Sequence, residues 1–388
     1  MTPPAPHRVP LWPALAGIVA ISAFCYLFVR VEHEWEVAAL AAGALVVLFA
    51  FGRTHLPELV RGGWAAAPSL LGAISLLASL ALIGAFCEDH FALLMLAKVM
   101  LFALACVGLT MQFGFAGVVN FSGAAFFGIG AYTAAVLAAQ TPLPHLLVLV
   151  LGGLVAAVIG SVLILPLLRT RGHYAALITV AFAILFKTFL EVSELLGGPQ
   201  GLKVPAIEIL GWSFNSNIEI GEDFEVSFYV HYAVLALLLL ACGLVLVRRL
   251  ERSWIGLSMD AVRIDETSAA VFGFDVARWK ILAFMLGNSL AGVAGAVYAM
   301  MTGFVAPASF TLSESLMFVS IVLLGGIGNV AGVLPATALV VLLPEKLQVI
   351  QEYRFLLFSV LVILILLFRP AGLLPRRLRA YVPGWGHP

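Results

Sequence analysis

The chain has 388 residues, 62% hydrophobic and 11% charged, with a mean hydropathy of +1.09. Soluble domains carry about 25% charged residues, so a pair of ordinary soluble domains is excluded and an all-α polytopic membrane protein is implied. Lys+Arg and Asp+Glu both number 21, so no net charge points to nucleic acid or an acidic partner, and only the placement of charge is informative.

Residues 1–10 are Pro-rich with a single arginine, and the apolar run after them lacks the small-residue cleavage site of a secretory signal. They read as a retained cytoplasmic tail. Apolar stretches of about 20 residues, the length that crosses a bilayer, fall near 11–29, 36–51, 66–86, 91–111, 113–139, 145–168, 174–196, 228–248, 280–301, 315–343 and 355–368. Cys25, Cys87, Cys106 and Cys242 lie in or beside these runs and imply no disulfide framework.

Orientation follows from where arginine collects beside the spans. Arg53 and Arg61, then Arg169 and Arg171, then Arg248, Arg249, Arg252 and Arg263, and finally Arg369, Arg376, Arg377 and Arg379 mark four cytoplasmic stretches. The alternate loops are acidic or neutral: Val31–Glu36, Cys87–His90, and 197–227 with Glu208, Glu219, Glu222, Asp223 and Glu225. These face outward. Arg169 and Arg171 come out cytoplasmic only if 113–139 crosses the bilayer. The C-terminus does so only if 315–343 holds two short crossings, or a re-entrant pair, broken at GGIGN (Gly325–Asn329). The reading is about 10–12 transmembrane segments with both termini inside.

Two uncharged, Gly-rich stretches interrupt otherwise continuous apolar sequence: Gly114–Ala131 and Leu323–Ala338. Paired interruptions suggest two related halves around a pathway at mid-membrane. Residues 1–90 precede both and read as extra N-terminal transmembrane helices. Residues 91–375 form the core, and 376–388 a cytoplasmic tail. Gly114, Gly117, Gly123, Gly128 and Gly130 serve either close helix packing or a broken backbone lining a cavity; Asn120 and Ser122 beside them tilt the segment toward a polar path. Asn288, within 280–301, fits an interhelical hydrogen bond or a contact on that path. Lys98 either faces a partner within its span or snorkels outward, and Lys187 and Glu191 have the spacing of a helix-face ion pair.

The stretch Glu251–Lys280 is the one sizeable polar element between spans on the cytoplasmic side. Leu257, Ala261, Ile264 and Ala269 recur at roughly helical spacing opposite Asp260, Arg263 and Glu266, and Gly273 falls where a helix C-cap belongs. One amphipathic helix of about four turns is expected over 256–273, too small for its own core and suited to dock a partner. The chain carries no phosphate-cradling G-x-x-x-x-G-K-[ST], no H-E-x-x-H and no nucleophile elbow. No catalytic set, cofactor site or metal site is therefore expected.

Three stretches taken together, Gly114–Ala135, Leu168–Phe186 and Gly256–Ala299 followed by Ser313–Leu339, resemble the LivM-type permease subunits of branched-chain amino-acid ABC importers. The resemblance implies the ABC importer permease fold, a sister permease subunit, two cytoplasmic ABC ATPases and a periplasmic solute-binding protein. It also implies residence in a bacterial inner membrane and ATP hydrolysis on separate chains. The coupling helix would be Gly256–Gly273, with Arg263, Asp265 and Glu266 on its contact face, and Gly117, Asn120, Ser122, Gly123 and Asn288 would line the path. The family usually has G-x-x-G-Q-[LV]-S-L-G-H where this chain reads Gly114 to Gly123 as GFAGVVNFSG, and Leu257 and Asp260 stand where arginines are common. Relatives of the same shape carry urea or short amides. A stand-alone secondary transporter would instead place carboxylates in the broken segments, and 109–137 and 315–343 contain none.

Overall fold

A computed structural model of the chain describes residues 11–31, 56–170, 173–209, 211–219 and 225–346, with single positions between 33 and 43 and between 353 and 376. Most of the expected spans 36–51 and 355–368, together with Arg53, Arg171, Glu222, Asp223, Arg369, Arg377 and Arg379, lies outside the described residues. Among the described residues, nine helical stretches are long and apolar enough to cross a membrane.

The chain divides into two compact units. The first comprises residues 1–97, 217–237 and 342–352. Here α1 (Trp12–Arg30) packs against α2 (Leu56–Ala66) and α3 (Pro68–Ala85). The contact is small: Ala14, Ile18 and Leu71 are buried, with Leu15, Trp64, Ile74 and Ala78 around them. Most of the apolar surface of α3 points away from protein, as lipid-facing sequence should. The helix α4 (His90–Gly114) starts here, with the Asp89 carboxylate accepting from the Ala92 amide at 3.0 Å. Lys346 Nζ donates to the Val29 carbonyl in the last turn of α1 at 2.7 Å and to that of Val31 just beyond it at 3.0 Å, satisfying oxygens that a helix end leaves unpaired.

The second unit comprises residues 98–216, 238–341 and 353–388 and contains the broken segments. Its centre is α11 (Val276–Thr302), which packs along α5 (Gly123–Gln140) and α6 (His145–Arg169). Lipid supplies no hydrophobic drive between helices, so close backbone approach has to hold them together. Glycine provides it: Gly108 of α4 lies on Gly287, Gly130 of α5 on Gly292, and the backbone of Phe127 on Gly295, each too close for a Cβ. Outside these seams an aromatic layer fills the gaps, with Phe102, Phe127 and Phe318 at centroid distances of 5.1–5.7 Å. Further elements are α7 (His173–Val192), α8 (Tyr229–Glu251), α12 (Leu312–Gly325) and α13 (Val330–Lys346). The Lys187–Glu191 ion pair forms on α7 at 3.3 Å.

Both interruptions are real breaks. The expected span 113–139 is not one helix: α4 ends at Gly114, residues 115–122 are non-helical, and α5 starts at Gly123. In the second, α12 has 14 residues, the α-helical part of the 19-residue stretch Pro307–Gly325, and α13 has 17, so the two helices span about 21 and 26 Å at 1.5 Å per residue. The turn between them places Gly326 at φ 105° and Gly328 at φ 84°, values that favour glycine. The start of α12 is set by Thr311, whose hydroxyl accepts from the Glu314 amide at 3.3 Å.

Candidate translocation and coupling site

The first break is held by a buried amide network. Gln112, two residues before the end of α4, donates from Nε2 to Asn288 Oδ1 at 2.8 Å and to the Phe284 carbonyl at 3.2 Å. Its Oε1 accepts from Asn120 Nδ2 at 2.7 Å, and Asn120 Nδ2 also approaches Asn288 Oδ1 at 3.3 Å. Asn120 Oδ1 then accepts from the backbone amide of Ser122 at 2.8 Å and from its hydroxyl at 2.5 Å, an Asx turn leading into α5. All four side chains are essentially buried. The non-helical stretch leaves backbone groups that α4 and α5 cannot satisfy, and side chains from elsewhere do so. Thr179 Oγ1 of α7 accepts from the Phe121 amide at 3.1 Å, and Ser315 Oγ of α12 accepts from the Ala124 amide at 3.1 Å.

The two breaks meet at glycine. Gly114 and Gly328 lie backbone against backbone, so that a Cβ on Gly114 would overlap the Gly328 Cα. The Gly114 carbonyl, the last of α4, accepts from two guanidiniums: Arg263 Nη1 at 2.6 Å and Arg376 Nη1 at 2.7 Å. Positive charge at a helix C-terminus is favourable because the carbonyl dipoles there are unpaired. Arg376 also holds Asp260 with both prongs of its fork, at 2.7 and 2.9 Å, lies 3.9 Å over the Phe115 ring and reaches Glu251 at 3.5 Å. Burial, and then the neighbouring Arg376 charge, lower the Arg263 pKa, with Asp260 opposing them.

The polar element between α8 and α11 corrects the single amphipathic helix expected over 256–273. It is two helices, α9 (Trp254–Ile264) and α10 (Glu266–Val271), separated at Asp265. Asp265 is extended, and its carboxylate accepts from the Thr267 and Ser268 amides at 2.8 and 3.1 Å, which starts α10 in a new direction. Those bonds and the Ser268 hydroxyl hold the Asp265 carboxyl below its ordinary pKa, the hydroxyl contributing most. The expected C-cap is present: Gly273 has φ 85°, its amide bonds the Ala270 carbonyl, and the Phe274 amide bonds the Ala269 carbonyl, both at 3.0 Å. This pairing is a Schellman motif.

The polar face departs from expectation at one residue: Arg263 and Glu266 are exposed, but Asp260 is buried. Asp260 and Ser258 are buried, whereas Leu257, Ile264, Val271 and Phe272 are 43%, 69%, 82% and 81% exposed. A carboxylate turns inward because Arg376 waits for it, and this frees the apolar side chains to face outward.

Each predicted site residue has a definite place. Asn120, Ser122 and Asn288 share one network. Gly123 opens α5 against Phe318, and Gly117, at φ 67°, lies beside the Arg263 stem. Gly256 is buried against Leu250 and Glu251. Of the expected contact face, Arg263 bonds Gly114, Asp265 caps α10, and Glu266 takes Lys280 Nζ at 2.5 Å. Sequence reasoning passed over Gln112, Asp260, Arg376 and Gly328 as site residues. The polarity of Gln112 inside a span and the glycine run around Gly328 were the local signals among them.

Against this geometry, a family model described as "Branched-chain amino acid transport system / permease component" matches residues 91–367. The chain belongs to this permease family. The high-affinity branched-chain amino acid transport system permease proteins LivM of Salmonella typhimurium and Escherichia coli are each 34% identical over 289 residues, covering 71% of this chain and 68% of theirs. A probable branched-chain amino acid transport permease protein LivM of Methanocaldococcus jannaschii is 25% identical over 333 residues, covering 71% of this chain and 91% of its own. No solved structure gives a significant match. The matched region of the permease contains both breaks, the amide network and α9–α10. Chemically, the first break is lined by amides, hydroxyls and backbone at Gln112, Asn120, Ser122 and Asn288, and the charged groups Arg263, Arg376 and Asp260 gather at the end where the two breaks meet.

Proposed function

We propose that this permease is the membrane subunit of an ATP-driven importer for branched-chain amino acids, working by alternating access beside a sister permease. Two cytoplasmic ATPases dock on α9–α10, and a solute-binding protein delivers solute on the opposite side. The chain lies in the inner membrane with both termini cytoplasmic. Residues 1–90 form helices additional to the 91–375 core. The observation that carries the reading is the bonding of α9 to the first break, through Arg263 and Gly114, while α9 and α10 turn Leu257, Ile264, Val271 and Phe272 outward. A partner pressing on that apolar strip acts on the broken segment directly. ATP hydrolysis elsewhere supplies the driving energy, so the path needs no proton relay, and neutral groups such as Asn120 and Ser122 suit a zwitterionic or neutral solute.

The test is uptake by reconstituted vesicles holding the permease with its co-purified partners, with ATP enclosed and solute and solute-binding protein outside. ATP-dependent accumulation of leucine, isoleucine or valine supports the reading. Accumulation without ATP overturns it in favour of a secondary transporter, and competition by urea or short amides redirects the substrate assignment.

A further inference from the structure

We propose that Arg376 is a positioning residue for transport, a clasp that makes α9 and both breaks move as one body. The inference rests on the reading above, because it needs α9 to be where partner chains push. Four observations carry it. The guanidinium, in a side chain 6% exposed, forks onto Asp260 of α9 and shares the Gly114 carbonyl with Arg263. Two parallel N–H···O bonds fix an arginine's orientation as a single bond does not. Its stem occupies space that Gly328 leaves open: a Cβ there would come within 2.7 Å of Arg376 Cδ. The residues before it bind the second break through backbone, since the Leu374 amide bonds the Gly325 carbonyl at 3.3 Å and Asn329 Nδ2 bonds the Leu374 carbonyl at 2.8 Å. Gly372, at φ 75°, lies against Gly326.

Gly372 and Leu374 thus grip the second break, while Arg376 grips α9 and the end of the first. Displacing α9 pulls on Gly114 through Arg263 directly and through Asp260 and Arg376 in parallel. Displacement reaches Gly328 and Asn329 by way of Arg376 and Leu374. A mere staple would give stability without passing on motion. The two are told apart by the ratio of solute moved to ATP hydrolysed, which a staple leaves alone.

The experiment compares wild type, Arg376→Ala and Arg376→Lys in vesicles, per complex as measured by co-purified ATPase. Lysine keeps the charge and loses the fork. Solute moved per ATP is expected to fall about fivefold or more in Arg376→Ala, the lower range of a typical coupling effect, with Arg376→Lys between it and wild type. Where the alanine variant fails to assemble, hydrogen exchange on Arg376→Lys decides: nucleotide should change protection of residues 115–122 in wild type and not in the variant. An unchanged ratio in assembled variants, or an unchanged exchange response, overturns the clasp alone. Absence of ATP-driven uptake in wild type overturns the functional reading, and the clasp with it.

Discussion

Gln112 and Asn288 meet at 2.8 Å across α4 and α11, although 176 positions separate them in the chain. In a membrane interior each amide has only other protein groups to bond, so losing one partner leaves the rest short. Asn288→Leu and Gln112→Leu are each expected to destabilise the permease by about 1–3 kcal/mol. The double variant should lose less than the sum, because the two share one network. Unfolding in detergent measures this, and strictly additive losses would show that the amides act independently.

Gly130 and Gly72 are both helical glycines with opposite expectations. A Cβ on Gly130 would overlap the Gly292 backbone, whereas nothing lies within 4 Å of one on Gly72. Gly130→Ala should therefore cost about 1–3 kcal/mol through forced separation of α5 and α11. Gly72→Ala should stay within about 1 kcal/mol of wild type or gain slightly from helix propensity. Thermal melts of the two purified variants compare them; equal melting temperatures would refute the packing argument.

Gly117 has a left-handed backbone, φ 67°, and a Cβ added there would lie 3.4 Å from the Arg263 Cγ, an ordinary contact. The strain of a side chain there is in the backbone first, about 1–2 kcal/mol for an L-residue. Gly117→Leu should impair uptake more than Gly117→Asn, since asparagine tolerates this conformation. Equal uptake by wild type and the leucine variant would make the glycine incidental.

Asp265 makes the start of α10 pH-dependent. Its folded carboxyl titrates below the ordinary range, so its contribution is complete above the unfolded carboxylate pKa and is lost as pH falls through the lowered folded value. Amide exchange at Thr267 and Ser268, corrected for intrinsic rate, should accelerate on acidification. Asp265→Asn should remove most of that pH dependence while keeping a cap; persistence of the full dependence in Asp265→Asn would assign it to another group.

The outward strip on α9 and α10 gives a separate test of docking. Val271→Ser with Phe272→Ser removes apolar surface that is exposed without a partner, so the permease itself should insert and melt as wild type does. Co-purification of the ATPase should drop, by about tenfold if roughly 1.4 kcal/mol of contact is lost. Undiminished co-purification would move the docking surface elsewhere. Replacing Glu266 is less telling, because its carboxylate already serves Lys280 within the chain.

The sequence alone determined the membrane class, most span positions, both breaks and the C-cap at Gly273. These follow from short-range physics: a bilayer requires about 20 apolar residues in a row, and a left-handed turn requires glycine locally. It did not determine which way α9 faces. The periodicity of Leu257, Ala261 and Ile264 reads as the apolar side of a docking helix, and Asp260 as part of its polar face. Tertiary structure alone put Asp260 inside, because Arg376, 116 positions away, pairs with its carboxylate there. Arg376 itself read only as a marker of membrane orientation. The Gly114 carbonyl it holds is 262 positions distant, and no local pattern announces such a contact. The span-forming interactions are those of each segment with lipid and are encoded segment by segment. The ones that join the breaks to α9 are pairings between segments, and exist only once the helices have packed.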